Sequence, residues 1–371
     1  MKISDRLSSI PVSGIRKMFD LAGSNSINLG LGEPDLEPPM AAIEGIADAA
    51  RTGKNRYGPS AGIPELRKGV ANRYKGIDED NILITPSGTS AIFLLANAFL
   101  DPGDESIVPD PGFVVYEPHS MIAGAKVRKY TLTEDLLPDT DSIQSSITKK
   151  TKVLFVNSPS NPTGSVLDEK TFKAICDIAS DNNITVISDE VYEPFVYEGK
   201  HYSFVNELDK AVVINGFSKM MAVTGWRMGY IVASKDIMPE LVKMNYHMCA
   251  NPNMPSQYGI ADALPTIDPY LENARKIFKG RRDLISKRIN EIPGMHISPP
   301  RGAFYAFPSF DLKMTSDELA MEIARNGLIC TPGSAFGKGG EGHLRFSYAA
   351  DESKINRGMD ILENVMRKLI K

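Results

Sequence analysis

The chain has 371 residues, more than one compact hydrophobic core usually organises, so we expect two domains. Its 42% hydrophobic and 24% charged residues are typical of a globular protein, and a formal net charge of −4 argues against an obligatory nucleic-acid partner, which needs a basic face. The three cysteines are too few and too far apart for a disulfide framework or a zinc cluster.

The sequence also argues against a membrane or secreted location. The longest apolar stretch, residues 91–100, is about half as long as a membrane-spanning helix and contains Asn97. Asp5 and Arg6 stand where a secretory signal would be apolar. We therefore expect a cytoplasmic protein. The five histidines show no paired spacing, so no metal site is expected.

From about residue 81 the chain alternates short apolar strands with helices. The expected strands are 82–84, 106–108, 152–156, 184–187 and 211–214. The expected helices are one beginning near Thr89, one beginning near Phe113 and one over 168–182. Continuous apolar strands separated by helices indicate an α/β fold, with a mostly parallel sheet covered on both faces.

After about residue 265 the pattern changes. A long charged helix over 270–292 is followed by apolar strands at 303–307 and 343–348, which indicates a smaller antiparallel α+β unit.

In parallel sheets ligands bind beyond the carboxyl ends of the strands, and the polar clusters of this sequence lie there. They are residues 87–89, 111–113, 157–164, 189–192 and 218–219.

Lys219 and Arg227 follow the apolar run 211–214, where a solvated lysine is not normally placed. A desolvated lysine has a lowered pKa and can form a Schiff base, whereas arginine suits phosphate. An aldehyde that carries a phosphate is pyridoxal 5′-phosphate (PLP). The hypothesis is therefore a PLP site.

Residues 87–90 open a helix whose first turn offers unpaired N–H groups, small hydroxyls and the positive end of the helix dipole. Gly88 and Thr89 are thus candidate phosphate ligands. The alternative is a simple helix cap, and Arg227 at a neighbouring strand end favours phosphate.

Asp189 directly follows a buried strand, where its pKa should rise unless a cation is near. The N–H of a pyridinium ring would supply this cation, and the carboxylate would in turn keep the ring protonated as an electron sink. Alternatively, Asp189 only caps a turn. Tyr192 and Asn161 could bind the ring oxygen and Phe113 could stack on the ring, or each could be structural. We predict a cis Asn161–Pro162 bond that aims the Asn161 side chain into the cleft.

Arg345 lies among apolar residues of an expected strand. It is either a bidentate clamp for a substrate carboxylate or an exposed alternate position of the strand. Two glycine motifs are set aside: 337–342 matches G-x-G-x-x-G without a following helix, and 58–62 matches G-x-S-x-G without a preceding strand.

In this order these residues resemble the class I/II aminotransferases of PLP fold type I, near the aspartate and aromatic aminotransferase branch. The landmarks are residues 32–35, 57–66, 161–164, 189–192, 219–227 and 332–336, with Arg345. The resemblance implies an N-terminal arm and part of the small domain in 1–30, a large PLP-binding domain in 31–275 and a C-terminal small domain in 276–371.

The resemblance also implies roles for individual residues. Lys219 would be the Schiff-base lysine and proton shuttle, and Asp189 would pair with the pyridine nitrogen. The other cofactor ligands would be Tyr192 and Asn161 at the ring oxygen, Gly88, Thr89, Ser218 and Arg227 at the phosphate, and Phe113 on the ring.

For the substrate, Arg345 would bind the α-carboxylate, and Asn161 and Gly32 would line its pocket. Tyr57 would reach the phosphate of a partner subunit, which implies a homodimer with shared sites. Two departures stand out: Gly216 replaces a serine that many members have, and Thr89 replaces a lysine found in some members specific for acidic substrates.

The predicted function is a PLP-dependent aminotransferase with a ping-pong mechanism, acting on aspartate or on aromatic or broader substrates. Donor selectivity is expected at Ile15, Tyr246 and residues 251–253. Alternatives with the same cofactor are a C–S β-lyase and a decarboxylase. A PLP-sensing regulator would need a DNA-binding domain, for which we expect no room before Gly32, and a serine hydrolase would use Ser60.

Overall fold

The structure is a computed structural model that describes residues 4–8, 10 and 26–370. Its strands are β1 (Ile27–Asn28), β2 (Ile82–Thr85), β3 (Glu105–Asp110), β4 (Lys126–Thr131), β5 (Thr151–Asn157), β6 (Thr185–Asp189), β7 (Ala211–Gly216), β8 (Gly229–Val232), β9 (Met295–His296), β10 (Tyr305–Ala306), β11 (Ser309–Phe310), β12 (Leu328–Ile329), β13 (Thr331–Pro332) and β14 (Leu344–Ser347).

The described helices are α1 (Asp5–Ser8), α2 (Met40–Arg51), α3 (Pro64–Ala71), α4 (Gly88–Phe99), α5 (Tyr116–Ile122), α6 (Thr140–Ser146), α7 (Glu169–Asp181), α8 (Phe217–Met220), α9 (Met238–Cys249), α10 (Met254–Ala263), α11 (Asp268–Asn290), α12 (Ser316–Arg325) and α13 (Glu352–Leu369). Short 3₁₀ turns lie between several of them, including Thr224–Trp226, Gly333–Phe336 and Lys338–Gly340.

A seven-stranded sheet in the order β2-β8-β7-β6-β5-β3-β4 organises the first part of the chain. Strand β8 runs antiparallel to β2 and β7, and the remaining pairs are parallel. Every residue of β2, β7 and β8 is buried because helices cover both faces. The predicted α/β fold with a mostly parallel, two-sided sheet is confirmed.

The sequence did not reveal strand β4, which lies at the edge of the sheet. Lys126, Arg128 and Lys129 interrupt its apolar pattern, and only Tyr130 among its residues is fully buried. An edge strand tolerates such charges because one of its sides meets water. The continuous apolar run that identifies the central strands is therefore missing here.

Capping residues set the starts of two predicted helices. Asp168 accepts a hydrogen bond from the Thr171 amide at 2.7 Å, so α7 begins at Glu169. Ser87 accepts one from the Ser90 amide at 2.9 Å at the start of α4. The helix expected near Phe113 begins later, at Tyr116, because the preceding turn bonds to another loop through the Gly112 amide.

The C-terminal part builds a second core around α11, α12 and α13, in which Phe278, Phe304 and Phe346 are fully buried. Strand β10 pairs antiparallel with β14, as predicted, and β1 pairs in parallel with β12, which brings residues 27–28 into this core. Helix α11 runs without interruption through residues 275 and 276. The proposed domain limits stay a prediction.

The described residues contain neither a membrane-spanning helix nor a cluster of metal ligands. None of their helices is both long and apolar enough to cross a membrane. They also contain no group of three or more histidine, cysteine, aspartate or glutamate side chains that could hold a metal ion.

Glu190 forms a buried polar cluster next to the carboxyl end of β6. Its side chain accepts hydrogen bonds from Ser188 Oγ at 2.9 Å and Ser203 Oγ at 3.0 Å, and His201 Nε2 lies 2.9 Å from its second oxygen. Burial alone would lower the pKa of His201, but the Glu190 carboxylate outweighs that effect and raises it. His201 is therefore favoured as the cation that balances a buried carboxylate.

This pair makes stability depend on pH. A histidine whose pKa is raised by folding stabilises the native state fully below about pH 6.5, and the contribution is lost as the pH rises through the folded pKa. We expect His201→Gln to lower the free energy of unfolding by about 1–2 kcal/mol at pH 6 and by much less at pH 9, measured by denaturant titration.

His296→Gln is the matched control, because the His296–Asp311 pair is largely exposed and should contribute little at either pH. A His201→Gln effect that is the same at both pH values would contradict a charged His201.

Candidate active site

One cavity at the carboxyl edge of the large sheet collects nearly all the predicted site residues. Those that line it are Gly32, Gly88, Thr89, Phe113, Asn161, Asp189, Tyr192, Ser218, Lys219, Arg227 and Arg345. Tyr57 is the exception, since it is 91% exposed on the surface of the single chain. Ile15 lies outside the described residues, and Tyr246 is also exposed.

Lys219 reaches the cavity from the short helix α8, which starts where β7 ends. Its Nζ donates a hydrogen bond to the carbonyl of Gly32. Burial lowers the pKa of Lys219 to about 8; Arg345 and Arg227 act in the same direction, and Glu33 opposes them. A useful fraction of this amine is therefore neutral near physiological pH, as a nucleophile or a base requires.

Gly32 is required by close packing against Tyr305. A Cβ atom at Gly32 would lie 1.8 Å from Tyr305 Oη, so no other residue fits without moving that ring. The missing side chain leaves room for the Tyr305 ring beside the residue whose carbonyl accepts the Lys219 hydrogen bond. Tyr305 itself was not predicted, because the sequence shows only that it belongs to an apolar strand.

The start of α4 and Arg227 line the same cavity, and the strand that follows Arg227 packs on that helix start. Strand β8 packs so closely on the helix start that a Cβ atom at Gly229 would be 2.5 Å from the Gly88 nitrogen. Arg227, just before this strand, has a left-handed backbone with φ of 57° and donates to the Thr224 carbonyl at 2.8 Å. A cation and the first amides of a helix thus face the same end of the cavity.

Residues 87–90 also contain the helix cap that was the alternative prediction, and the capping residue is Ser87. Its Oγ caps α4, while Gly88 and Thr89 line the cavity.

Asp189 lies at the end of β6 and is 4% exposed. Burial raises its pKa to about 6, even though hydrogen bonds from Tyr116 Oη and the Val191 amide pull it down. Tyr116 donates to Asp189 Oδ2 at 2.7 Å. A buried carboxylate of this kind is stabilised most by a cation brought into the cavity.

Sequence reasoning missed Tyr116, which stacks on Phe155 with ring centroids 5.1 Å apart. The available signal was a tyrosine three residues after Phe113, near the start of the expected helix. Nothing in the sequence connects it with Asp189.

Arg345 is buried, which rules out the exposed strand position. Its Nη1 donates to Asn161 Oδ1 at 2.8 Å and its Nη2 donates to the Gly30 carbonyl, while Nε is buried without a partner among the described residues. The ring centroids of Tyr305 and Phe336 lie 4.5 Å and 4.8 Å from the guanidinium carbon. The guanidinium is held in place but retains donor capacity.

Asn161 and Tyr192 complete the wall. The Asn161–Pro162 peptide bond is cis, as predicted, and the side chain of Asn161 contacts Arg345. Tyr192 Oη lies 2.7 Å from Tyr305 Oη. Burial, reinforced by Tyr305, raises the pKa of Tyr192 well above its ordinary value, so Tyr192 is a neutral hydrogen-bond donor.

Comparison with known proteins shows the family. Residues 24–362 match the sequence model of the family described as aminotransferase class I and II. The chain belongs to this family.

Individual class I and II aminotransferases are similar to this chain over almost its whole length. The chain is 39% identical to an aspartate aminotransferase of Pyrococcus abyssi, over 99% of each sequence. It is 38% identical to aromatic-amino-acid aminotransferase 2 of Thermococcus litoralis, again over 99% of each. The solved structure of Thermus thermophilus aspartate aminotransferase with maleate superposes with a TM-score of 0.94 at 30% identity, covering 98% of this chain and 100% of that one.

These findings confirm the predicted family, fold type, enzyme class and cofactor. The protein is a PLP-dependent aminotransferase that acts on amino acids and 2-oxo acids.

The chemistry of the cavity fits PLP as the cofactor of this aminotransferase. It offers a buried amine for the aldehyde at Lys219 and a buried carboxylate for the pyridine N–H at Asp189. A helix start with Arg227 suits the phosphate. The Cβ position at Gly88 has only Ile214 Cγ2 within 4 Å, at 3.8 Å, so space is open for an anion beside the first turn.

If Asp189 pairs with the pyridine nitrogen, as the resemblance implies, Tyr116 should control how tightly the cofactor is held. Without its hydroxyl the pKa of Asp189 should rise further above its ordinary range, so fewer molecules carry the carboxylate at neutral pH. We expect Tyr116→Phe to weaken PLP binding on the order of tenfold near pH 6.5 and less near pH 9, measured by absorbance titration at several pH values.

Tyr130→Phe is the matched control, because the Tyr130 hydroxyl is also buried but donates to the Phe155 carbonyl at 3.2 Å. Equal weakening in both variants, or weakening that does not change with pH, would show that Tyr116 acts only through packing.

Proposed function

We propose that Lys219, Asp189 and Tyr192 are the catalytic residues of the transamination and that Arg345 binds the substrate α-carboxylate. The observation that carries the proposal is the partly buried Lys219 amine, with its pKa lowered to about 8 by desolvation, in the cavity that Arg345 and Asp189 also line. A lysine of this kind can bind an aldehyde and can also transfer a proton.

Within this proposal, the cofactor is held by groups from six strand ends, the carboxyl ends of β2, β3, β5, β6 and β7 and the start of β8. Asp189 accepts the pyridine N–H, and Phe113 stacks on the ring. The remaining ligands are Asn161 and Tyr192 at the ring oxygen, and Gly88, Thr89, Ser218 and Arg227 at the phosphate. When bound, PLP supplies an aldehyde that takes up the amino group and a protonated ring that withdraws electrons from Cα.

Lys219 is then the group that moves the proton. Once free, the Lys219 amine would take the proton from Cα of the bound amino acid at Nζ and would later give that proton up again, so that Nζ acts first as base and then as acid. Arg345 fixes the substrate by its carboxylate, with Asn161 and Gly32 beside it, so that the Cα–H bond faces Nζ. In the second half-reaction the same residues act in reverse order on another 2-oxo acid, which leaves as an amino acid.

For the substrate, we propose aspartate or aromatic amino acids, or a range that includes both. The relatives named for aspartate and for aromatic amino acids are almost equally similar to this chain. Thr89 stands where some members specific for acidic substrates have lysine, and the cations among the described cavity residues are Lys219, Arg227 and Arg345. Aromatic donors therefore have to be tested beside aspartate.

Titration of the PLP-loaded protein with single amino acids tests the function. Aspartate, glutamate, aromatic and aliphatic amino acids should each be added while the absorption spectrum is recorded and the 2-oxo acid is assayed. Conversion of the pyridoxal band to the pyridoxamine band identifies transamination and the best donor. Release of ammonia with the 2-oxo acid would instead establish a β-elimination lyase.

The variant Lys219→Ala tests the role of the lysine. We expect it to bind PLP noncovalently and to lose nearly all turnover, on the order of a thousandfold or more, because both the covalent anchor and the proton carrier are gone. Normal activity of this variant would refute the assigned role of Lys219.

We also propose a cytoplasmic homodimer with shared sites. Cys176, Cys249 and Cys330 are all free, which suits a reducing compartment, and cell fractionation can test the location. Tyr57 is almost fully exposed on the single chain, although its resemblance to a cofactor-binding tyrosine implies a contact with a partner's phosphate. A second chain would give this exposed aromatic side chain a partner.

Mixed dimers test the sharing of sites directly. Lys219→Ala chains and Tyr57→Ala chains should each be impaired alone, because every site then lacks one group. Co-expressed together, they should form dimers in which one site has both Lys219 and the partner's Tyr57, and activity should recover. Sedimentation should give twice the 40.6 kDa mass of one chain. A single-chain mass, or no recovery, would contradict shared sites.

A further inference from the structure

The glycine-rich loop 337–342, which matched a nucleotide-binding pattern, contacts the last residue of β3, and the Phe336 residue before it contacts the turn that follows β3. The Gly339 amide donates to Asp110 Oδ1 at 2.8 Å, and the Gly112 amide donates to the Phe336 carbonyl at 2.9 Å. The two hydrogen bonds run in opposite directions between residues 110–112 and 336–339. We call this pair of contacts the Asp110 latch.

The glycines of the loop are required by this latch. A Cβ atom at Gly337, where φ is 127°, would lie 2.1 Å from Asp110 Oδ1, and one at Gly339 would lie 2.6 Å from the Asp110 carbonyl oxygen. A Cβ atom at Gly340 would lie 2.1 Å from the Gly333 carbonyl oxygen. Close packing around Asp110 therefore explains the pattern without a nucleotide.

The latch joins the segment of a residue that lines the cavity, Phe113, to a residue that packs on another lining residue, Arg345. On one side, Phe113 directly follows Gly112 and lines the cavity. On the other side, the ring of Phe336 lies 4.8 Å from the Arg345 guanidinium and packs edge-on against Phe307. The backbone of Phe336 is thus tied to the Phe113 segment while its side chain covers Arg345.

We propose that Asp110 is a positioning residue for the substrate carboxylate. By holding Gly339, it keeps Phe336 over Arg345 and so sets the position of the guanidinium relative to the cofactor ring. The proposal rests on the proposed role of Arg345 as the carboxylate clamp.

Loss of the latch should weaken the contact between the substrate carboxylate and Arg345. The substrate makes this contact in both the ground state and the transition state. Such a loss raises KM and leaves kcat nearly unchanged. For one hydrogen bond, we expect an increase in the amino-acid KM of roughly three- to tenfold.

Three variants test the contact from both sides. Asp110→Ala removes the acceptor, and Gly339→Ala pushes a Cβ atom against the Asp110 backbone. Asp110→Asn keeps an acceptor oxygen and should restore KM to near the parent value. Because the two disruptive variants break the same contact, the double variant should be less impaired than the product of the two single effects.

Asp317→Ala is the matched control. Asp317 Oδ2 accepts a hydrogen bond from Ser334 Oγ at 2.7 Å, so this carboxylate also holds the 333–342 region, but it ties that region to α12 and not to residues 110–112. It should leave the amino-acid KM unchanged.

The readouts are KM and kcat for the best amino donor, PLP content, and amide hydrogen exchange at Gly112 and Gly339 in the PLP-loaded protein. We expect Asp110→Ala to exchange faster at both amides, to retain PLP and to raise KM alone. Unchanged exchange would overturn the latch. Faster exchange with an unchanged KM, or an equal KM increase in Asp317→Ala, would overturn its positioning role.

Arg345→Lys separates this inference from the function on which it rests. If Arg345→Lys leaves the amino-acid KM unchanged, the clamp role of Arg345 fails, and with it the positioning role of Asp110. If Arg345→Lys raises KM and Asp110→Ala does not, the function stands and the latch proposal alone is refuted.

Discussion

The site depends on keeping a lysine amine away from water beside two guanidinium groups. Burial lowers the pKa of Lys219, and Arg345 and Arg227 lower it further. Arg227 stays exposed, whereas Arg345 is buried, and a buried guanidinium without partners would be costly. Arg345 offsets the cost with hydrogen bonds to Asn161 and to the Gly30 carbonyl and with two aromatic rings that face its guanidinium.

Close backbone contacts make this arrangement possible. Gly32 lets Tyr305 approach the carbonyl that accepts the Lys219 hydrogen bond, and Gly229 lets β8 touch the start of α4. In both places an added Cβ atom would clash, at 1.8 Å from Tyr305 Oη and at 2.5 Å from the Gly88 nitrogen. The chemistry of the site therefore depends on residues that carry no functional group, and their role is visible only once the chain is folded.

The sequence was most informative where local pattern and function coincide. The apolar runs before Asp189 and Lys219 predict buried strands, and in a parallel sheet their ends must meet at one edge. The partners of these residues could not be predicted in the same way. Tyr116 reaches Asp189 across 73 positions and Tyr192 meets Tyr305 across 113, so both contacts depend on tertiary packing. Strand β4 was not predicted because it lies at the edge of the sheet, where charged side chains can replace the apolar run by which a buried strand is recognised.

Two neighbouring carboxylates at the end of β6 differ in their surroundings. Asp189 lines the cavity, and Glu190 is bonded within the fold. They are adjacent in sequence and both are buried, yet their side chains have entirely different partners. Asp189 accepts a single side-chain hydrogen bond, from Tyr116, and lines the cavity; its pKa is raised, so it gains most from a cation that arrives with the cofactor. Glu190 has Ser188, Ser203 and His201 around it and needs no ligand. Because Glu190 is satisfied within the protein and Asp189 is not, Asp189 is the carboxylate available for the cofactor-binding role proposed for it.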